Sequence, residues 1–269
     1  MAEKKTTKKI AIITGASSGM GAEFALQIES KYFLDEIWLV ARRKEPMLEL
    51  AERFNKSKAV VLALNLTNEG DLAVLEKRVR DEQPQIEFLV NNAGYGKIGP
   101  FSDLGRDEQL QMVDLNVRTL TYLTHMAIPY MKKGGRIIQL ASSIAFSPAP
   151  YFAVYAATKA YVVSLSEALN FELKDRGITV IAVCPGPVAT EFFSIAQKND
   201  FMKDKVGEAE PFNKALMASA DEVVSLALSD AQKGKTRSVY GMAIRAFVGG
   251  IPFVPKSIVM KVLSQRQKK

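Results

Sequence analysis

Side chains that usually move protons or hold metals are scarce in this chain. Among 269 residues there is one histidine, His125, and one cysteine, Cys184. A lone cysteine cannot close an internal disulfide and leaves no cysteine-based metal centre, which fits a reducing compartment and makes the cytoplasm the default expectation. No run reaches the roughly 18 apolar residues needed to cross a bilayer. The opening MAEKKTTKK also lacks the apolar stretch of a secretory signal. The net charge of +7 divides into +3 over residues 1–9, +5 over 256–269 and −1 over everything between. The body of the chain is therefore nearly neutral, and no basic face for nucleic acid is expected.

What the chain does have is alternation. Short apolar, β-branched runs stand at 9–14, 36–41, 58–64, 86–91, 136–141 and 179–184, with a weaker one, SVYGMAI, at 238–244. Helical patterns fill the gaps at 20–31, 44–54, 69–82, 107–132, 152–176 and 221–231. Near-continuous apolar strands separated by crossover helices predict an α/β fold: one Rossmann-like, doubly wound domain of about seven parallel strands over residues 1–269. Residues 1–8 read as a basic tail, 191–220 as a substrate lid, and 245–269 as an apolar and basic extension.

The first strand runs into TGASSGMG, Thr14 to Gly21, and then straight into an apolar helix. Glycines at 15, 19 and 21 permit a tight turn and close backbone approach to a pyrophosphate, and the helix start supplies N–H donors and a positive dipole end. Gly15, Ser17, Ser18, Gly19, Met20 and Gly21 are thus candidate cofactor contacts. The second strand ends at Ala41, followed by Arg42 and Arg43, where a carboxylate would accept from a ribose 2′-hydroxyl. Arginine there grips a 2′-phosphate instead, so NADP(H) is the expected cofactor.

Six segments in order, TGASSGMG at 14–21, NNAG at 91–94, Asn116 within DLNV, Ser142 after the fifth strand, YAATK at 155–159 and PGPVAT at 185–190, resemble the short-chain dehydrogenase/reductase family. The resemblance covers about residues 9–192 and implies hydride exchange between a nicotinamide and a carbonyl carbon, with a tyrosine handling the proton. It assigns Asn116, Ser142, Tyr155 and Lys159 as the catalytic set. Tyr155 and Lys159 are helical i, i+4 neighbours. A cation about 4 Å away in a partly screened site is worth roughly 4 kcal/mol, enough to bring a phenol towards the neutral range. Ser142 lies thirteen residues before Tyr155, the family's spacing, which leaves Ser143 as a capping residue. Asn116 is expected to hold a water linking Lys159 to solvent.

The same resemblance adds Asn65 and Leu66 at the adenine, Asn92, Ala93 and Gly94 beneath the ribose, and Pro185, Gly186, Val188 and Thr190 at the nicotinamide carboxamide. Tyr155 and Lys159 also count as cofactor contacts. Asn65 stands where the family commonly has aspartate. No metal is expected, and His125 reads as structural. Phe192, Phe193, Phe201, Met202, Phe212 and Met217, with Tyr95, Phe146, Pro148 and Tyr151, supply an apolar wall. That wall suggests a bulky apolar ketone or secondary alcohol as the small-molecule substrate. Two alternatives remain: a 3-oxoacyl-thioester reductase, or an NADP(H)-binding sensor or scaffold without chemistry. Assembly as a homodimer or homotetramer through 107–132 and 152–176 is also implied.

Overall fold

The computed structural model describes residues 7–192, 196 and 217–261. Most of the expected lid, including Phe193, Phe201, Met202 and Phe212, lies outside the described residues, as do positions 1–6 and 262–269. Seven parallel strands form one sheet in the order β3-β2-β1-β4-β5-β6-β7. They are β1 (Lys9–Thr14), β2 (Glu36–Ala41), β3 (Lys58–Ala63), β4 (Gln85–Asn91), β5 (Arg136–Leu140), β6 (Thr179–Val183) and β7 (Arg237–Ser238). Every residue of β2 is buried, and so is every residue of β1 after Lys9, as strands covered on both faces require.

The helices are α1 (Gly19–Lys31), α2 (Glu45–Ala51), α3 (Glu69–Glu82), α4 (Arg106–Val113), α5 (Leu120–Ala127), α6 (Ala153–Glu172), α7 (Ala220–Gln232) and α8 (Met242–Gly250). Two cores result, one on each face of the sheet. One packs Phe24 and Ile28 of α1 and Val224 and Leu228 of α7 against Ile13, Ile37, Leu39 and Val90. The other sets Leu72, Leu75 and Val79 of α3 and Leu123 of α5 against Ile12, Trp38, Leu89 and Val180. The starts of α3 and α7 are fixed locally. Asn68 accepts from Asp71 N at 3.1 Å, and Ser219 and Glu222 form a capping box.

Two expectations need correction. The strand read at 238–244 keeps only its first residue: β7 pairs Arg237 and Ser238 with Ala182 and Val183, and Met242 already opens α8. Gly241, at φ 84, turns the chain out of the sheet between them. The helix read over 107–132 is broken in its middle by a π-helical stretch, Asp114–Thr119, and it ends in a 3₁₀ turn at Ile128–Tyr130. Single π turns inside helices gather at functional sites, and this one contains Asn116.

Candidate active site

The glycine loop after β1 is held from beneath by NNAG. Asn92 donates through Nδ2 to the carbonyls of Thr14 (3.0 Å) and Gly15 (3.2 Å), while the backbone N–H groups of Asn92 and Ala93 both donate to Thr14 Oγ1 at 3.0 Å. The space is so tight that a Cβ on Gly21 would lie 2.2 Å from Gly15 O, and one on Gly15 would lie 2.6 Å from Asn92 Nδ2. Ser18 begins α1 without a side-chain capping bond, and the first turn has no acidic residue. Its N–H donors and dipole end are therefore left for an anion, as a pyrophosphate needs. Met20 packs partly into the core, and Thr190 lies against the loop at Gly19.

Arg42 and Arg43 are exposed at the end of β2, beside this loop. Arg43 reaches Ser17 Oγ at 3.4 Å and makes an ion pair with Glu191 at 2.8 Å. The two arginines, Ser17 and the open helix start suit a dinucleotide with an extra phosphate on its ribose. Asn65 is already engaged locally: its Oδ1 accepts from the N–H (3.3 Å) and the hydroxyl (2.9 Å) of Thr67. Leu66 is buried, with its carbonyl accepting from Thr119 at 2.7 Å.

At the other end of the cleft, β5 and α6 bring the proposed catalytic set together. Ser142 lies close enough to the phenol of Tyr155 to lower its pKa, and its Oγ accepts from Ile144 N at 3.3 Å. Ser142 is thus itself the cap of the 3₁₀ turn Ser143–Phe146, the role expected of Ser143. Ser143 instead donates its N–H to Pro185 O at 2.9 Å, tying this turn to the PGPVAT loop. Asn116 is buried: Oδ1 accepts from Tyr95 N (3.1 Å), and Nδ2 donates to Tyr95 O (2.9 Å) and Thr158 Oγ1 (3.1 Å). Its amide donors are therefore spent on clamping the NNAG turn to α6. Gly94 closes the contact, since a Cβ there would sit 2.8 Å from Asn116 Oδ1 and 3.5 Å from Lys159 Nζ.

The electrostatics differ from the expectation. Lys159 Nζ donates to Leu140 O at 2.5 Å and lies 5.6 Å from the centre of the Tyr155 ring. Burial lowers the lysine to about 8 and pushes the Tyr155 phenol well above its ordinary value, the nearby Ser142 offsetting only part of this. Desolvation dominates here, and the phenol is held protonated.

An apolar shell surrounds the phenol. Phe152 stacks on the Tyr155 ring at 4.3 Å between centroids, and Phe192 faces it at 5.4 Å. Of the expected wall, Tyr95 and Phe192 pack on this cluster, joined by Ile144, whereas Phe146 packs elsewhere, under Arg237. Tyr151 is held at φ 62, a left-handed backbone that costs a bulky residue about 1–3 kcal/mol. Its carbonyl accepts from Gly99 N at 2.8 Å. Phe152, Thr158 and Glu191 were not foreseen. Phe152 and Thr158, placed three residues either side of Tyr155, carried the i, i+3 spacing as a signal. Gly186 packs against α8, and Val188 is buried with a bridge to Ala218.

A glycine loop on the first strand of a parallel sheet, with a serine, tyrosine and lysine at its far end, defines a nucleotide-dependent oxidoreductase. The chain belongs to the short chain dehydrogenase family, whose profile matches residues 9–200. It is 31% identical over 215 residues to an oxidoreductase of Staphylococcus epidermidis, covering 79% of this chain and 91% of that one. It shares the fold of a short-chain dehydrogenase from Sphingobium yanoikuyae in complex with NADPH (TM-score 0.74, 28% identity, 94% and 95% coverage). A bulky-bulky ketone specific alcohol dehydrogenase from Comamonas testosteroni is similar as well (TM-score 0.70, 27% identity, 97% and 92% coverage).

Proposed function

We propose that the chain is an NADP(H)-dependent oxidoreductase that interconverts a bulky apolar ketone and the corresponding secondary alcohol. The observation that carries this reading is the environment of one phenol: Tyr155 lies beside Ser142, stacked on Phe152 and faced by Phe192. The solved relatives support it, one described with NADPH and another as specific for bulky ketones.

NADP(H) would be held by Gly15, Ser17 and the start of α1 at its pyrophosphate, by Arg42 and Arg43 at its 2′-phosphate, and by Val188 and Thr190 at its nicotinamide; when bound it supplies or accepts the hydride. Ser142 and Tyr155 converge on the substrate oxygen. The serine hydroxyl donates to that oxygen and steadies the charge that builds on it. In carbonyl reduction the phenol, kept protonated by burial, gives up its proton to the same oxygen. Alcohol oxidation needs the phenolate and rises with pH. Lys159 is the group through which the phenol would regain its proton, and Asn116, which clamps the NNAG turn to α6 beside it, would hold that arrangement in place. Exposed Leu110 and Val113 on α4 and Tyr161 on α6 support a homodimer or homotetramer.

The test is NADPH consumption across a ketone panel with Tyr155→Phe as the control. General acid catalysis contributes about 10²–10⁴-fold, so the variant loses turnover by that factor while NADPH fluorescence titration stays within a few-fold of the native protein. Retained turnover would mean another proton donor. Turnover confined to 3-oxoacyl thioesters would replace the substrate class, and NADPH binding with no turnover on any carbonyl would leave a sensor or scaffold.

A further inference from the structure

Large apolar side chains are unevenly placed on this surface. Among the described residues thirteen are exposed, and five of them, Met242, Phe253, Val254, Ile258 and Met260, fall within a stretch of nineteen positions. Met242 and Phe253 keep 86% and 88% of their surface in contact with solvent. Single exposed apolar residues are ordinary, but a contiguous group of them marks an interaction site.

The charge of the same region is one-sided. Asp230 is the last acidic residue of the chain, and nine lysines and arginines follow it. Two of them are matched by upstream carboxylates, Lys235 by Asp230 and Arg237 by Glu167. From 241 to 261 the exposed cations Arg245, Lys256 and Lys261 stand among the apolar residues, and the sequence adds Arg266, Lys268 and Lys269 beyond them. No helix among the described residues is long and apolar enough to cross a membrane, so this segment would lie on a surface rather than span it.

We propose that residues 242–261 form a docking face for an anionic lipid membrane, with Met242, Phe253 and Ile258 entering the headgroup region and Arg245 and Lys256 meeting lipid phosphates. Bulky apolar groups interleaved with basic ones and free of carboxylates are what an interfacial segment requires. A second copy of the chain fits less well, because a symmetric contact would set this basic segment, which has no acidic residue from 241 to 261, against itself. An acidic protein would satisfy the cations but offers less to five large apolar side chains than hydrocarbon does. The face is also next to the reaction. Ile244 of α8 packs on Gly186, where a Cβ would lie 2.7 Å from Ile244 Cδ1, and the neighbouring Pro185 holds the Ser142–Phe146 turn. The docking claim stands on the C-terminal surface alone and does not depend on which ketone is reduced.

The experiment is flotation of the full chain with vesicles of phosphatidylcholine, alone or mixed with phosphatidylglycerol. Binding is expected to the mixed vesicles, falling steeply with added salt. Lys256→Glu should cut it at least about fivefold, given the contribution of each basic residue near an anionic surface. Phe253→Ser should weaken it as well, and both variants should retain native NADPH titration curves, which reports that they are folded. Absence of flotation, equal flotation with neutral vesicles, or variants that float like the native protein would overturn the proposal. Capture of poly-glutamate without flotation, or a concentration-dependent oligomer lost in Phe253→Ser without flotation, would assign the face to an acidic protein or a second copy and overturn it equally.

Discussion

A methyl group added at Gly21 would collide with the Gly15 carbonyl at 2.2 Å; one added at Gly249 would meet nothing within 4 Å. The two positions represent two ways of building a surface. At the cofactor end the backbone itself makes the site, so the loop, NNAG and α1 are locked together by main-chain contacts that few residues permit. At the C-terminal face side chains project from α8 and its extension, and many apolar residues would serve equally. The first kind of surface constrains residue identity and the second constrains only composition. The sharpest test of this contrast is Gly21→Val. The clash lies against backbone rather than a flexible side chain, so NADPH binding should be abolished and the melting temperature lowered. Normal titration and melting curves would show that the loop can yield, and the contrast would collapse.

That division decides what was readable beforehand. The bounds of α3, and of β1, β2 and β6 to within a residue, follow from apolar runs between polar stops, and the site motifs follow from spacing. Features that depend on three-dimensional competition were not readable. The π stretch at Asn116 looks like uninterrupted helix because the sequence period hardly changes across DLNVRT; the shift is set by the clamp on Tyr95 and Thr158. The two serines 142 and 143 are equally good caps on paper, and the hydrogen bond from Ile144 N chooses between them. The order of the Tyr155 and Lys159 titrations turned on burial, which i, i+4 spacing does not report. SVYGMAI has strand composition throughout, and the positive φ at Gly241 ends it.

Within the cofactor half, the buried lysine offers the next largest effect. Its folded value, about 8, lies below the ordinary 10.5, so between those values the unfolded chain binds more protons and stability rises with pH. The difference corresponds to about 3 kcal/mol. Lys159→Met should remove that rise: urea unfolding at pH 8 and at pH 10 should show a gain in the native protein that the variant lacks. The buried Cys184 thiol, raised from 9.0 to about 12, acts in the opposite sense above about pH 9, so the prediction is the difference between the two profiles rather than either slope alone. Tyr155, shifted upward, acts as the thiol does and only above about pH 10, where its unfolded form begins to ionise. An identical pH profile in the variant would place the lysine in a wetter setting than its hydrogen bond to Leu140 O implies.

The Arg43–Glu191 pair joins the two halves, since Glu191 begins the stretch expected to form the lid. Both side chains are about half exposed, so the pair contributes only about 0.2–1 kcal/mol. A 2′-phosphate must compete with Glu191 for Arg43. Glu191→Gln should therefore tighten NADPH by up to about fivefold and leave NADH unchanged. Arg43→Ala should weaken NADPH much more than NADH. Equal effects on the two cofactors would mean that the arginine does not meet the extra phosphate.

The smallest effect belongs to the permissive surface. Gly249 sits inside α8 with space around it, and its backbone is helical, so alanine fits without strain. Replacing a helical glycine by alanine lowers the conformational freedom of the unfolded chain and typically adds about 0.4–1 kcal/mol. Gly249→Ala should raise the unfolding midpoint slightly and leave NADPH binding and turnover as they are, in direct opposition to Gly21→Val. A loss of vesicle binding with that small gain in stability would show that α8 must bend on docking, which a helix kept soft by glycine permits and an alanine helix resists.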